Sequence, residues 1–286
     1  MRRLFAAALA VTSLAAFATS ASAQRRAARD DRNNDRTDQR DDRKTDDFKW
    51  SGPLARGQRL YIYNVVGSIR VEGTRGRDVE IVAHKRYRRS SPDDVKIDVQ
   101  RVRGDRDVVV CAMWNPRDDS CDERGMHSRS LNRGDDDDRD NDVSVEFEIR
   151  LPEGANVSAT DVVGAIEVTG VSGDVEAKTV TGSIDAESSD GAVQATAVTG
   201  SIHARMARLP SGGADYKTVT GSITVGLPRG ANADIDAKTV MGSLESDFPL
   251  TVQGRWGPRS AHGTIGRGGP HLSFSTVTGS VKIEER

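Results

Sequence analysis

The side chains with the most chemistry to offer are two cysteines, five histidines and one dense acidic run. Cys111 and Cys121 are the only cysteines, and nine residues separate them. So short a gap suits a loop-closing disulfide in an oxidising compartment, with two independent free thiols as the alternative. Two cysteines alone do not make a zinc site, and no histidine stands at a ligand spacing beside them. His84, His127, His203, His262 and His271 form neither HExxH nor HxH and read as isolated surface or rim residues. Asp135 to Asp138, with Asp140 and Asp142, lack the spaced oxygen ligands and defined glycine of an EF-hand loop. They read as a solvated loop, with weak divalent-ion binding as the alternative. Serines are many, but no GxSxG presents one as a nucleophile. The expectation is therefore no catalytic residue, no cofactor or cofactor-binding residue and no metal ligand, with a Cys111–Cys121 disulfide as the one site.

The elements that carry these residues are visible as a repeat. From Gly164 the chain divides into blocks of nine: GAIEVTGVS, GDVEAKTVT, GSIDAESSD, GAVQATAVT and GSIHARMAR. Each opens with Gly and places apolar residues two and four positions on, as in Ile166/Val168, Val175/Ala177, Ile184/Ala186, Val193/Ala195 and Ile202/Ala204. A period of two means strand, and the heading Gly means a corner. Gly-Ser corners follow at 221 and 242, Gly263-Thr264-Ile265 extends the 21-residue spacing, and Gly279-Ser280-Val281 closes the series. A single strand and turn cannot bury its inward face, whereas stacked turns can. The predicted fold is all-β: a parallel β-solenoid with turns of 18–21 residues, the apolar residues inside and Ser, Thr, Asp and Lys facing out. A two-sheet antiparallel sandwich is the alternative.

The repeat bears on the chemistry. Calcium-binding nonapeptide rolls need an Asp in the sixth position of each block. Here that file reads Thr169, Lys178, Glu187, Thr196 and Arg205, and its cations would repel calcium. Lys178, Lys217 and Lys238 precede equivalent corners and read as a solvated ladder that Asp185 and Glu187 could neutralise. Tyr216 is the only aromatic residue between Gly164 and Ser246, so the repeats offer no stacking platform for sugars or bases. Trp50, Tyr61, Tyr63, Trp114 and Trp256 are better placed for a glycan, or else form buried end-caps.

The ends set the organisation. Arg2 and Arg3, an apolar run from Leu4 to Phe17 and Ala21-Ser22-Ala23 make the three-part pattern of a secretory signal peptide over residues 1–23. Residues 24–47 hold eight basic and eight acidic residues and read as a disordered charged linker. Residues 48–286 read as one β-repeat domain with an N-terminal β region and a flexible charged insertion at about 115–142. No later stretch is long and apolar enough for a transmembrane segment in the mature chain. With 41 basic against 43 acidic residues and a net charge of −2, nucleic acid is not the expected partner.

An early Gly67-Ser68-Ile69-Arg70-Val71, an alternating strand ending in Leu151-Pro152-Glu153-Gly154-Ala155-Asn156, and the repeated TVTGS at 179–183, 218–222 and 276–280 together resemble the DUF4097-type adhesin family of bacterial β-strand-repeat proteins. The resemblance spans roughly residues 55–286. It implies a β-solenoid of the cell envelope or the secreted fraction, with no known catalytic activity. Two functions follow as expectations. The first is an exported, non-enzymatic cell-envelope protein in the periplasm, at the cell surface or outside the cell, adhesin-like or scaffolding, whose partner is a cell-envelope or surface component. The alternative is a polysaccharide-active enzyme on a β-helix scaffold, using acids near the insertion.

Overall fold

The computed structural model describes residues 43–114, 119–128, 141–254 and 258–286. The expected signal peptide, residues 24–42 of the expected linker, Asp135 to Asp140 and Trp256 lie outside them. The first strand is β1 (Lys44–Pro53), so the last residues assigned to the linker are already in a sheet. It is followed by β2 (Arg59–Tyr63), β3 (Ile69–Thr74), β4 (Asp78–Tyr87), β5 (Lys96–Val102) and β6 (Asp107–Met113). The insertion contains a hairpin, β7 (Asp119–Asp122) and β8 (Gly125–Ser128), before β9 (Ser144–Pro152) and β10 (Asn156–Val163). The nine-residue blocks become β11 (Ile166–Val171), β12 (Val175–Thr181), β13 (Ile184–Ser188), β14 (Val193–Thr199) and β15 (Ile202–Met206). Then come β16 (Ala214–Thr220), β17 (Ile223–Leu227), β18 (Ala233–Met241), β19 (Leu244–Ser246), β20 (Thr251–Gln253), β21 (Arg259–Ile265), β22 (His271–Thr278) and β23 (Val281–Glu285).

Successive blocks alternate between two sheets, so two blocks make one 18-residue rung. Sheet 1 holds β1-β4-β9-β3-β11-β13-β15-β17-β23-β19, and sheet 2 holds β20-β21-β18-β22-β16-β14-β12-β10-β2-β6-β5. From β10 to β17 all pairing is parallel, as predicted. The register is strict. On sheet 1 Ile166 sits beside Ile184, Ile184 beside Ile202 and Ile202 beside Ile223, all fully buried. On sheet 2 Ala159, Ala177 and Ala195 form an equally buried file. Each buried Ile or Val contributes roughly 1.5–3 kcal/mol relative to exposure, which a rung collects only when its neighbours close over it. Further along the same file Tyr216 and Phe274 replace alanine and stack with ring centroids 5.1 Å apart.

The corner reverses part of the expected in-and-out pattern. In Thr-Val-Thr-Gly-Ser the first threonine points inward: Thr179, Thr218, Thr239 and Thr276 are buried. The valine points outward, giving an exposed file of Val162, Val180, Val198, Val219, Val277 and Val240. Each buried hydroxyl donates to the corner carbonyl of the neighbouring rung: Thr179 to Gly164 (3.2 Å), Thr218 to Gly200 (2.9 Å), Thr276 to Gly221 (2.9 Å) and Thr239 to Gly279 (2.8 Å). The methyl group packs inside while the hydroxyl closes a backbone acceptor that would otherwise be left unpaired. Gly182 at such a corner has φ +151°, and a Cβ there would lie 1.9 Å from the Gly164 carbonyl oxygen. Only glycine lets the rungs stack at about 4.8 Å.

Spatial order departs from chain order at both ends. The last rung, β22 and β23, is inserted between the β16/β17 rung and the β18/β19 rung. The first rung, β2 and β3, lies between the β10/β11 rung and a rung made of β6 and β9. Antiparallel strands finish the stack: β4 and β1 on sheet 1 and β5 on sheet 2 at one end, β21 and β20 on sheet 2 at the other. Gly263, expected at a corner, is instead in the middle of antiparallel β21. The Gly-Ser-Val corner at 279, expected to close the series, instead stacks between the corners at 221 and 242.

Candidate functional site

The regular outer wall is interrupted where the spacing lengthens from 18 to 21 residues between Ile202 and Ile223. The extra residues form the loop 207–213, which overhangs sheet 2. Arg208 anchors it, donating to Asp174 Oδ1 at 2.6 Å, and that same oxygen accepts the Ala192 amide at 2.9 Å. Beneath the loop two adjoining depressions share Glu176, Gln194 and Gly212. One extends to Arg59 and Arg208, the other to Lys178, Thr196, Asp215 and His271. The floor is the alternating outward residues of β12, β14 and β16, so strand pleating alone sets its spacing.

The charges in this groove are matched within it. Lys178 Nζ lies 2.6 Å from Glu176, and Arg59 lies 3.6 Å from the same carboxylate. Burial pushes the Glu176 carboxyl up, but Lys178, Arg59 and the Ser158 hydroxyl together outweigh it and hold the group below its ordinary range. Lys217 pairs with Asp215 (3.1 Å) and Lys238 with Asp236 (3.0 Å). The expected lysine ladder therefore exists only on alternate rungs, with Thr196 and Ser275 between its members. Each lysine is neutralised by the acid two residues earlier on its own strand. Asp185 and Glu187 are on the other sheet, facing Arg205 at 3.9 and 3.2 Å. Sheet alternation likewise splits the sixth-position file, with Thr169, Glu187 and Arg205 on one wall and Lys178 and Thr196 on the other. Among the described residues no three His, Cys, Asp or Glu come together in a way that could hold a metal ion.

At the N-terminal end the hairpin β7–β8 covers the outer face of β2 and β6. Tyr61, Val109, Cys111, Met113 and Cys121 form a second small apolar cluster there, which explains why β6 is buried on both faces. Cys111 and Cys121 face one another with Cα atoms 6.5 Å apart, inside the span that a disulfide bridges. Tyr63 donates to the Glu123 carbonyl at 3.0 Å, and the Arg59 and Arg103 guanidinium groups approach the Tyr61 ring at 5.9 and 5.6 Å. Trp50 and Trp114 pack partly buried against the main core, and Tyr216 is fully buried. The aromatic residues described are thus end-caps and core rather than a stacking platform.

Several of the other acids and three of the histidines pair locally. Asp142 accepts the amides of Ser90 (3.0 Å) and Arg89 (3.1 Å), which hold its carboxyl well below the usual range. Asp122 is held low by His127 at 3.0 Å and by the Arg124 amide. His84 lies 2.8 Å from Asp47 and His262 lies 3.6 Å from Asp236. The corner serines do more than face solvent: the Ser201, Ser222 and Ser280 hydroxyl oxygens accept the amides of Ser222, Ser280 and Ser243 at 3.2–3.3 Å. The groove itself was not read from the sequence, although the lengthened spacing between Ile202 and Ile223 was its signal.

No helix among the described residues is long and apolar enough to cross a membrane. No curated protein matches the chain. Among solved structures, it is similar to a candidate cell adhesion protein of Clostridium sporogenes, 12% identical, covering 84% of this chain and 100% of that one with a TM-score of 0.42. A candidate adhesin of Bacteroides fragilis is 15% identical over 84% of this chain and 97% of that one, with a TM-score of 0.28. A candidate adhesin of Parabacteroides distasonis is 11% identical over the same shares, with a TM-score of 0.25. The array of rungs described above, residues 165–284, matches the Toastrack DUF4097 family.

Proposed function

We propose that this chain is an exported, adhesin-like or scaffolding module of the bacterial cell envelope, which acts by binding and turns nothing over. The observation supporting this reading is the state of Glu176, the carboxylate shared by the two depressions of the groove. Cleaving a glycosidic bond requires one carboxyl kept protonated beside another kept ionised. In the groove Glu176 is held ionised by Lys178 and Arg59, and in the insertion Asp122 and Asp142 are held ionised by hydrogen bonds. What the groove offers instead is hydrogen bonding from Gln194, Thr196 and Gly212 between compensated charges, which suits a neutral or zwitterionic polar polymer. Cys111 and Cys121 are joined in this reading, pinning the hairpin after export to an oxidising compartment. The test incubates the full mature chain with purified envelope polysaccharide. Co-sedimentation with no release of reducing ends supports the proposal, and release of reducing ends that follows the folded protein refutes it. Protein recovered from the cell exterior or periplasm should begin at Gln24, and retention of residues 1–23 on cytoplasmic protein would refute export.

A further inference from the structure

One position breaks the rule of the inward corner file. In spatial order the file runs Asn64, Asp161, Thr179, Ala197, Thr218, Thr276, Thr239. The four threonines each donate to the neighbouring rung's corner carbonyl, and Asn64 does the same through Nδ2 to the Val145 carbonyl at 3.0 Å. Asp161 occupies the equivalent place opposite Gly67. It is only 1% exposed, and neither carboxyl oxygen has a hydrogen-bond partner. The Gly67 carbonyl oxygen and Asp161 Oδ2 lie 1.3 and 2.3 Å from the point that a Cβ on Gly164 would occupy. Two acceptors therefore face each other in the core. The Asn64 side-chain oxygen, buried beside them, is also unpartnered.

We infer that Asp161 is a proton-binding site at the joint between the first rung and the repeat array: protonated, it donates to the Gly67 carbonyl as the threonines do elsewhere, and its ionisation loosens that joint. A carboxylate here would set a full negative charge against a carbonyl oxygen in a dry corner, whereas a carboxylic acid completes the file. Burial pushes the group up to about 7, against a smaller opposing pull from the Val162 and Val163 amides, which approach the carboxyl without reaching hydrogen-bond geometry. The groups facing it are Asn64 from β2, Thr179 from β12 and the glycine corners at 67 and 164, none of which titrates. No charged side chain contributes to its shift. The direction is fixed by linkage. A carboxyl raised above its unfolded value stabilises least when ionised, so stability is full below the ordinary carboxyl range and falls as pH rises toward about 7. Beyond that the profile is flat with respect to this group.

The experiment uses the mature chain and the variants Asp161→Asn and Asp161→Thr, both of which supply a donor that does not titrate. Hydrogen exchange at the Gly67, Val163 and Gly164 amides, corrected for intrinsic rate, is followed from pH 4.5 to 8.5. In the wild type, local opening should rise by up to about tenfold for each pH unit until near pH 7. In both variants it should be independent of pH over that range. Parallel wild-type and Asp161→Asn profiles would overturn the inference. Carboxyl-carbon NMR of the wild type provides a readout that does not depend on the variants folding, and an Asp161 titration below about pH 5 would also overturn it. Closing of the joint on addition of calcium or sodium at pH 8, with no effect of protons, would reassign the site to a cation and refute the proton.

Discussion

Replacing Gly182 with alanine tests the stacking argument most directly. The residue sits at φ +151°, in a region that costs a side-chain-bearing residue about 1–3 kcal/mol. The new Cβ would also lie 1.9 Å from the Gly164 carbonyl oxygen, where ordinary van der Waals contact begins at 3.4 Å. Relief requires the rungs to part locally by more than an ångström. That stretches the Thr179 hydroxyl bond to Gly164 (3.2 Å) and the Gly164 amide bond to Thr181 (2.9 Å). Each is worth about 1 kcal/mol net. The combined loss is about 3–5 kcal/mol, a large share of the roughly 5–15 kcal/mol that holds a domain folded. Urea unfolding followed by far-UV circular dichroism would show a lower midpoint at unchanged slope. Gly212→Ala is the internal control, because a Cβ there meets nothing within 4 Å. If both variants fell within about 0.5 kcal/mol of wild type, close approach at the corner would not be what requires glycine.

Three further outcomes follow from the same geometry. Thr218→Val keeps the shape of a buried side chain but removes the donor to Gly200, and should cost about 1–2 kcal/mol in urea unfolding; a neutral result would mean that the hydroxyl file contributes nothing. Cys111→Ser should lower stability by about 2–3 kcal/mol and raise exchange across residues 119–128. Two alkylatable thiols in freshly exported wild-type protein would refute the disulfide. Deleting residues 271–286 removes a rung from inside the stack and should leave no cooperative unfolding transition; a cooperative truncated protein would show that β16 and β18 can pair directly.

The array was legible because each nine-residue block carries its own information. Ile184 and Ala186 alternate with Asp185 and Glu187, and the Gly before them admits a corner, so strand and face follow without knowledge of neighbours. Stacking order is different. Every rung presents the same parallel backbone edge, so nothing at Gly279 says that it settles beside Gly221 rather than after Gly263. Gly263-Thr264-Ile265 imitates a corner chemically, yet it pairs antiparallel with β18. The inward threonines depart from the expected outward pattern because each hydroxyl meets a corner carbonyl that only the stacked rungs bring into place. The cysteine spacing drew attention to Cys111 and Cys121, whereas the hairpin that carries Cys121 was hidden in a charged insertion.

The inserted end rungs restrict how such a chain can change its length. Duplicating an 18-residue unit between Gly173 and Arg208 adds a rung between rungs that are consecutive in both chain and stack, so both new interfaces match existing ones. The same duplication near residue 245 would separate β18 and β19 from the strands that must return to lie beneath them, and the connection through β20 and β21 would have to span an extra layer. Gain and loss of repeats should therefore be confined to the middle of the array, with the two ends inherited as fixed units. A designer lengthening the wall should copy from the centre.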